Sequence, residues 1–213
     1  MGIVTWKRAW SLGLLAPALL VAAWARPSAA VAQRPAAHAT RASEAAVFAG
    51  GCYWGVESVF RHVRGVVSAT SGYSFPAPAP GLRSTGRAES VRIVYDPARI
   101  SYRQILTVFF SVAHDPTQLD RQGPDVGPEY RSLVFVSGDR QRGAVRAYID
   151  SLSAAHVFSR PIVTEIAALR AFRPVVASQQ DYAAKHPTDP YIVENDVPKL
   201  EALQRQFPQL YRN

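Results

Sequence analysis

The sequence predicts an α+β fold: a two-layer sandwich on a βαββαβ core of the split βαβ, ferredoxin-like kind, with an extended C-terminal tail. Strand-like and helix-like apolar patterns alternate in that order from Ala45 to Val136. Of 213 residues, 48% are hydrophobic and 19% charged, which excludes a disordered chain and supports one sizeable core, hardly two. No internal repeat is visible.

Residues 1–32 read as a targeting segment rather than as part of the fold. Lys7 and Arg8 precede an uncharged run from Ala9 to Ala25, and Ala30-Val31-Ala32 offers the small-x-small pattern of a cleavage site. At 17 residues the run is at the short limit for a bilayer span and Pro17 interrupts it, so a cleaved signal peptide is expected over a retained membrane anchor. The expected location is exported, periplasmic or secreted. Residues 33–44 are Ala-, Pro- and polar-rich and predict a flexible lead, with the folded domain at 45–213. The formal charge is +8, nearly all of it arginine, but no basic run interleaves with aromatics, so a solvated surface is expected and no nucleic acid.

Ala45–Ala49 is a short strand ending at Gly50-Gly51. From Cys52 to Val63 apolar residues fall at helix spacing until Gly65 stops them. Val66–Tyr73 is a strand rich in β-branched residues, Ser74–Gly86 is a Pro/Gly-rich loop, and Ser90–Tyr95 alternates as a strand. Ser101 caps a helix whose apolar face is Ile105, Leu106, Val108, Phe109 and Val112. A polar loop from His114 to Glu129 leads to a strand at Ser132–Val136, a helix at 139–155 and a strand at Ile162–Leu169. The tail from Gln179 is polar and Pro-punctuated, and is expected to wrap the core without entering it.

The one cysteine, Cys52, excludes an internal disulfide, a CxxC redox pair and a cysteine-based zinc site; no metal or bound cofactor is expected. It follows two glycines at a predicted helix start, where the helix dipole favours thiolate. Most lone cysteines are buried structural residues. The neighbours Tyr53 and Trp54, able to wall an apolar pocket, favour a functional one.

The run Gly51-Cys52-Tyr53-Trp54-Gly55-Val56-Glu57 resembles the signature of the A-type peptide methionine sulfoxide reductases. Matches continue in order through Gly72-Tyr73, Thr85-Gly86-Arg87-Ala88-Glu89, His114-Asp115-Pro116-Thr117, Arg121-Gln122-Gly123, Glu129-Tyr130-Arg131-Ser132, Lys185-His186-Pro187 and Tyr191-Ile192-Val193. The resemblance spans roughly residues 45–210. It implies that Cys52 attacks the sulfur of the S-sulfoxide, that Glu89 is the acid serving the oxygen, and that Tyr73 and Tyr130 donate to it. It further implies that Tyr53 and Trp54 hold the methyl and that Asp125 binds substrate. Reduction by a thiolate needs these kinds of group: a nucleophilic sulfur, donors for a departing oxygen and an apolar slot.

Four departures stand out. Arg87 occupies a position where many relatives have His, and its charge favours ionised Glu89. Ser74-Phe75 replaces Gly-Gly, and Asp120 replaces Asn. Many relatives carry a second, C-terminal cysteine; here the sulfenic acid on Cys52 has to meet an external thiol, from a thioredoxin- or glutaredoxin-like protein or a small molecule. The substrates expected are oxidised proteins or free methionine sulfoxide, and the chain is expected to be a monomer. The alternatives are a non-catalytic binder of oxidised methionine and, less favoured, a thiol peroxidase.

Overall fold

A computed structural model describes residues 43–213. The predicted leader and residues 33–42 of the lead lie outside the described residues, among which no helix is long and apolar enough to cross a membrane.

The chain is α+β. Strand β1 (Glu44–Ala49) begins one residue before the predicted strand and is flanked by antiparallel β3 (Ala88–Tyr95) and β6 (Leu133–Val136). β2 (Val66–Pro76) pairs antiparallel with β3 on its far side. β7 (Glu165–Pro174) runs antiparallel to β2 and parallel to β6, which closes the five strands into a barrel ordered β1-β3-β2-β7-β6. The strand expected after the βαββαβ core, β7, thus closes the predicted sandwich into a barrel. The parallel step from β6 to β7 is spanned by helix α3 (Asp139–Ala154), as parallel neighbours require a crossover.

Alternation along the strands separates two cores. Val47, Ala49, Ala88, Leu133, Phe135 and Ala167 fill the barrel, where alanines suit the small bore. On the outside, Phe48, Val91, Ile93 and Tyr95 meet Val56, Val59 and Phe60 of α1 (Tyr53–Arg61) and the apolar face of α2 (Tyr102–Val108). α2 begins with a capping box: the Ser101 hydroxyl accepts from the Gln104 N–H at 3.3 Å while the Gln104 carbonyl accepts from the Ser101 N–H at 3.0 Å. It runs on through a π-helical turn, Phe109–Ala113, whose Phe109 ring stacks on Phe48 at 4.5 Å.

Three expectations are corrected. Ser74–Pro76 belong to β2, not to a loop, because Ser74 and Phe75 pair with Phe172 and Ala171 of β7 and the Ser74 and Ser90 hydroxyls meet at 2.6 Å. The last strand starts at Glu165 rather than Ile162, because the Val163 N–H donates to Pro116 O at 2.8 Å instead of joining the ladder. The tail forms α4 (Tyr182–Lys185), α5 (Pro190–Asn195) and α6 (Val197–Gln206), and it enters the core: Leu203 and Leu210 are buried with α1, and Tyr211 bridges to Val63. Within the long loop, β4 (Arg121–Gln122) and β5 (Asp125–Val126) form a small hairpin, followed by a 3₁₀ turn at Pro128–Tyr130.

Candidate active site

The site forms where β1 gives way to α1. Gly51 has φ +92°, and a Cβ there would lie 2.5 Å from Gln122 of β4, so only glycine serves. The turn sets half-buried Cys52 at the N-cap of α1. The Trp54 N–H and the Tyr191 hydroxyl face its sulfur, but burial, with Glu89 adding negative charge, pushes the thiol up to about 12. The helix dipole therefore does not prevail, and the resting group is a thiol rather than the predicted thiolate.

Glu89 is delivered by β3 directly across from Tyr73 of β2, both on the helix-facing side of the sheet. Its carboxylate accepts the Tyr53 N–H at 3.2 Å and is only 8% exposed. Burial raises it to about 7, and the charges of Asp125 and Glu129 reinforce the shift against the Tyr53 N–H and Arg87. Arg87 lies one residue before β3 and rests its guanidinium 4.7 Å over the Tyr73 ring. Its pull on Glu89 is the smallest of these effects and does not offset the burial that raises the carboxyl.

Aromatic rings line the rest. Tyr53 meets Tyr73 and Trp54 edge-on at 5.9 and 6.1 Å. Trp54 stacks on Tyr182 at 3.9 Å and meets Tyr191 edge-on at 5.8 Å. Tyr130, half-buried on its 3₁₀ turn, feels Glu89, Asp125 and Cys52, and with burial as the leading cause its hydroxyl rises to about 12. Asp125 accepts the Tyr191 hydroxyl at 2.5 Å. All seven residues singled out in the sequence thus meet at one place.

A buried arginine holds the two loops that frame it. The Arg131 side chain, 0% exposed, donates to Gly86 O at 3.0 Å, Arg87 O at 3.1 Å and Pro128 O at 2.5 Å, and pairs with Glu165 at 3.4 Å. It thereby ties the approach to Glu89 to the turn bearing Tyr130. Asp120, at φ +47°, sits where the backbone tolerates Asp as well as Asn, so that departure leaves the loop intact.

Sequence reasoning missed Tyr182, Tyr191, Gln179 and Asp196, all from the tail. Gln179 takes the Tyr53 hydroxyl at 3.5 Å, and Asp196 packs against Gly55 of α1. The signal available was the Tyr191-Ile192-Val193 segment, which matches the family pattern. Among the described residues, no group of three or more His, Cys, Asp or Glu could hold a metal ion.

The sequence model of the family described as peptide methionine sulfoxide reductase matches residues 44–210. The chain belongs to that family. The peptide methionine sulfoxide reductase MsrA 2 of Mesorhizobium japonicum is 49% identical over 79% of this chain and 90% of its own length. That of Synechocystis is 43% identical over 85% and 87%. Among solved structures, the reduced form of Mxr1 from Saccharomyces cerevisiae aligns with TM-score 0.60 and 26% identity over 69% of this chain and 87% of that one. Methionine sulfoxide reductase A of Corynebacterium diphtheriae aligns with TM-score 0.56 and 32% identity over 69% and 76%. The α+β fold is therefore a family setting for the site, and no finding favours a binder that lacks catalysis.

Proposed function

We propose that this chain reduces the S-sulfoxide of methionine, free or in oxidised proteins, to methionine, with Cys52 as nucleophile. The observation that carries the reading is a carboxyl held near pKa 7 by burial, set beside the one thiol among aromatic rings. The methyl enters the slot of Tyr53 and Trp54, and the sulfoxide oxygen meets the Tyr73 and Tyr130 hydroxyls and Glu89. The Cys52 proton passes to Glu89 and from there to the oxygen as the sulfur attacks. The attack joins the Cys52 sulfur to the substrate sulfur. The substrate S–O bond breaks as the hydroxyl moves to Cys52, and the S–S bond then breaks to release methionine and leave Cys52 as sulfenic acid. Substrate sulfur is reduced by two electrons, Cys52 is oxidised by two, and no net proton is taken up. An external thiol then condenses with the sulfenic acid, releasing water, and a second thiol frees Cys52 from the mixed disulfide. A thioredoxin- or glutaredoxin-like protein, or a small thiol, fits that role.

Because one chain supplies every wall of the site, we read the active form as a monomer. The order β6-β1-β3-β2, antiparallel throughout, supports a split βαβ, ferredoxin-like core to which β7 was added. The basic-then-apolar pattern of residues 1–32 supports export.

The test is a single turnover without reductant, using each epimer of a blocked methionine sulfoxide. About one equivalent of methionine from the S epimer, with matching loss of the thiol, is expected, and none from Cys52→Ser. Product from Cys52→Ser, or none from the parent chain, would overturn the reading.

A further inference from the structure

We propose that the strip of β2 and β7 beside the site is a cationic specificity surface that selects methionine sulfoxide flanked by acidic residues; this rests on the reductase reading above. Tyr73 and Phe75 project from the same face of β2, about 7 Å apart at two residues' rise. Three guanidiniums lie over their rings: Arg87 at 4.7 Å over Tyr73, and Arg173 and Arg170 at 5.2 and 5.8 Å over Phe75. Arg173 is also the register partner of Tyr73. The strip therefore starts at a ring of the site itself and runs outward, within reach of residues a few positions from a bound sulfoxide.

All three arginines are exposed. Among the described residues, none of the three makes an ion pair or donates a side-chain hydrogen bond, and Arg87 feels the Glu89 carboxylate only weakly, so their N–H donors stay free for a ligand. An aromatic platform orients a guanidinium face-on and leaves its edge for bidentate capture of a carboxylate. Across the cleft, Asp125 and Glu129 lie near enough to Glu89 to raise it. A carboxylate on the substrate is repelled there and drawn to the β2 side. Phe75 and Arg87 are both positions where the sequence departs from the pattern it resembles.

The experiment uses peptides of one sequence with a central methionine sulfoxide and paired Asp, Asn or Lys two and three residues to either side, with dithiothreitol as reductant. The parent chain is expected to favour the Asp peptide over the Asn peptide by about three- to tenfold in kcat/KM at low salt, and the preference should fade at about 0.5 M salt. In the double variant Arg170→Gln, Arg173→Gln the Asp-to-Asn ratio is expected to fall to about one; a ratio within one protein cancels any general loss. Equal kcat/KM for the three peptides in the parent chain, or an undiminished ratio in the variant, would overturn the proposal. So would a variant impaired only when a protein thiol replaces dithiothreitol, which would reassign the strip to the reductant. Failure of the parent chain on every sulfoxide, the blocked one included, would overturn the reductase reading and the strip's role with it, and no peptide ratio could then be measured.

Discussion

Between about pH 7, where Glu89 loses its proton, and about pH 12, where Cys52 does, the two groups hold one proton between them. The reactive arrangement, thiolate beside neutral carboxyl, has that same proton count, so its share does not change with pH across the window. Oxygen transfer in a single turnover is therefore expected to be flat from pH 7.5 to 9 and to fall below about 7, where a second proton fills the pair. Glu89→Gln cannot pass a proton on. Its rate is expected to be lower by about 10²–10⁴ and to rise about tenfold per pH unit over the same range, following the thiolate alone. Parallel profiles for the two proteins would remove Glu89 from the proton path. The same substitution has a stability signature. A carboxyl whose folded pKa is raised contributes stability that is fully present below its ordinary value and lost as pH rises through the raised one, here about 7. Glu89→Gln is expected to be more stable than the parent by on the order of 3 kcal/mol at pH 8 and equal to it at pH 4, read as urea midpoints.

At the level of elements, the contact of α1 with the tail decides whether the site is complete. Gly55 in the first turn of α1 leaves no room for a methyl: a Cβ would strike the Asp196 carboxylate and come within 2.6 Å of Lys199 Nζ. Asp196 is 1% exposed and paired with Lys199 at 3.0 Å, so it has little freedom to yield. Gly55→Ala should stabilise an isolated helix, yet here a loss of about 1–3 kcal/mol is expected from overpacking. A larger proportional loss in activity is expected too, since Asp196 joins α5, which carries Tyr191, to α6. Thermal unfolding and single-turnover rates on one sample would show it; an unchanged rate would mean that the tail only covers the site. α1 and α2 were legible in the sequence because glycines, an N-cap serine and 3.6-residue apolar spacing are local signals. Cys52, Tyr53 and Trp54 were legible for the same reason, being neighbours in one motif. The tail was not: its three helices are short, between 4 and 10 residues, and are held by packing on α1 rather than by propensity. Tyr182 and Tyr191 reach Trp54 from more than a hundred residues away, and no local pattern records that. Ser74–Pro76 escaped because Pro and Gly nearby signal a turn, whereas their strand state depends on β7. The thiol's titration was misread because burial, invisible in a sequence, outweighed the helix dipole.

For the whole molecule, the question is how a chain with one cysteine returns to its starting state. A resolving thiol on the same chain would act at an effective concentration of millimolar or more, so turnover would not depend on outside thiol below that level. Here the sulfur is half-buried at the foot of an aromatic cleft, and the thiol that meets it comes from solution or from a docked protein. Two rates should therefore separate. The first turnover is expected to be independent of dithiothreitol, while steady-state turnover rises in proportion to it through the millimolar range. Without thiol, the oxidised chain is expected to be heavier by one oxygen, to be labelled by dimedone and to remain a single chain on a non-reducing gel. A protein thiol that fits the cleft should saturate at far lower concentration than dithiothreitol, because docking replaces random encounter. Steady-state turnover unaffected by thiol concentration would mean that a slower event, such as product release, limits the cycle, and that attack on the sulfenic acid is not the step this single-cysteine architecture leaves exposed.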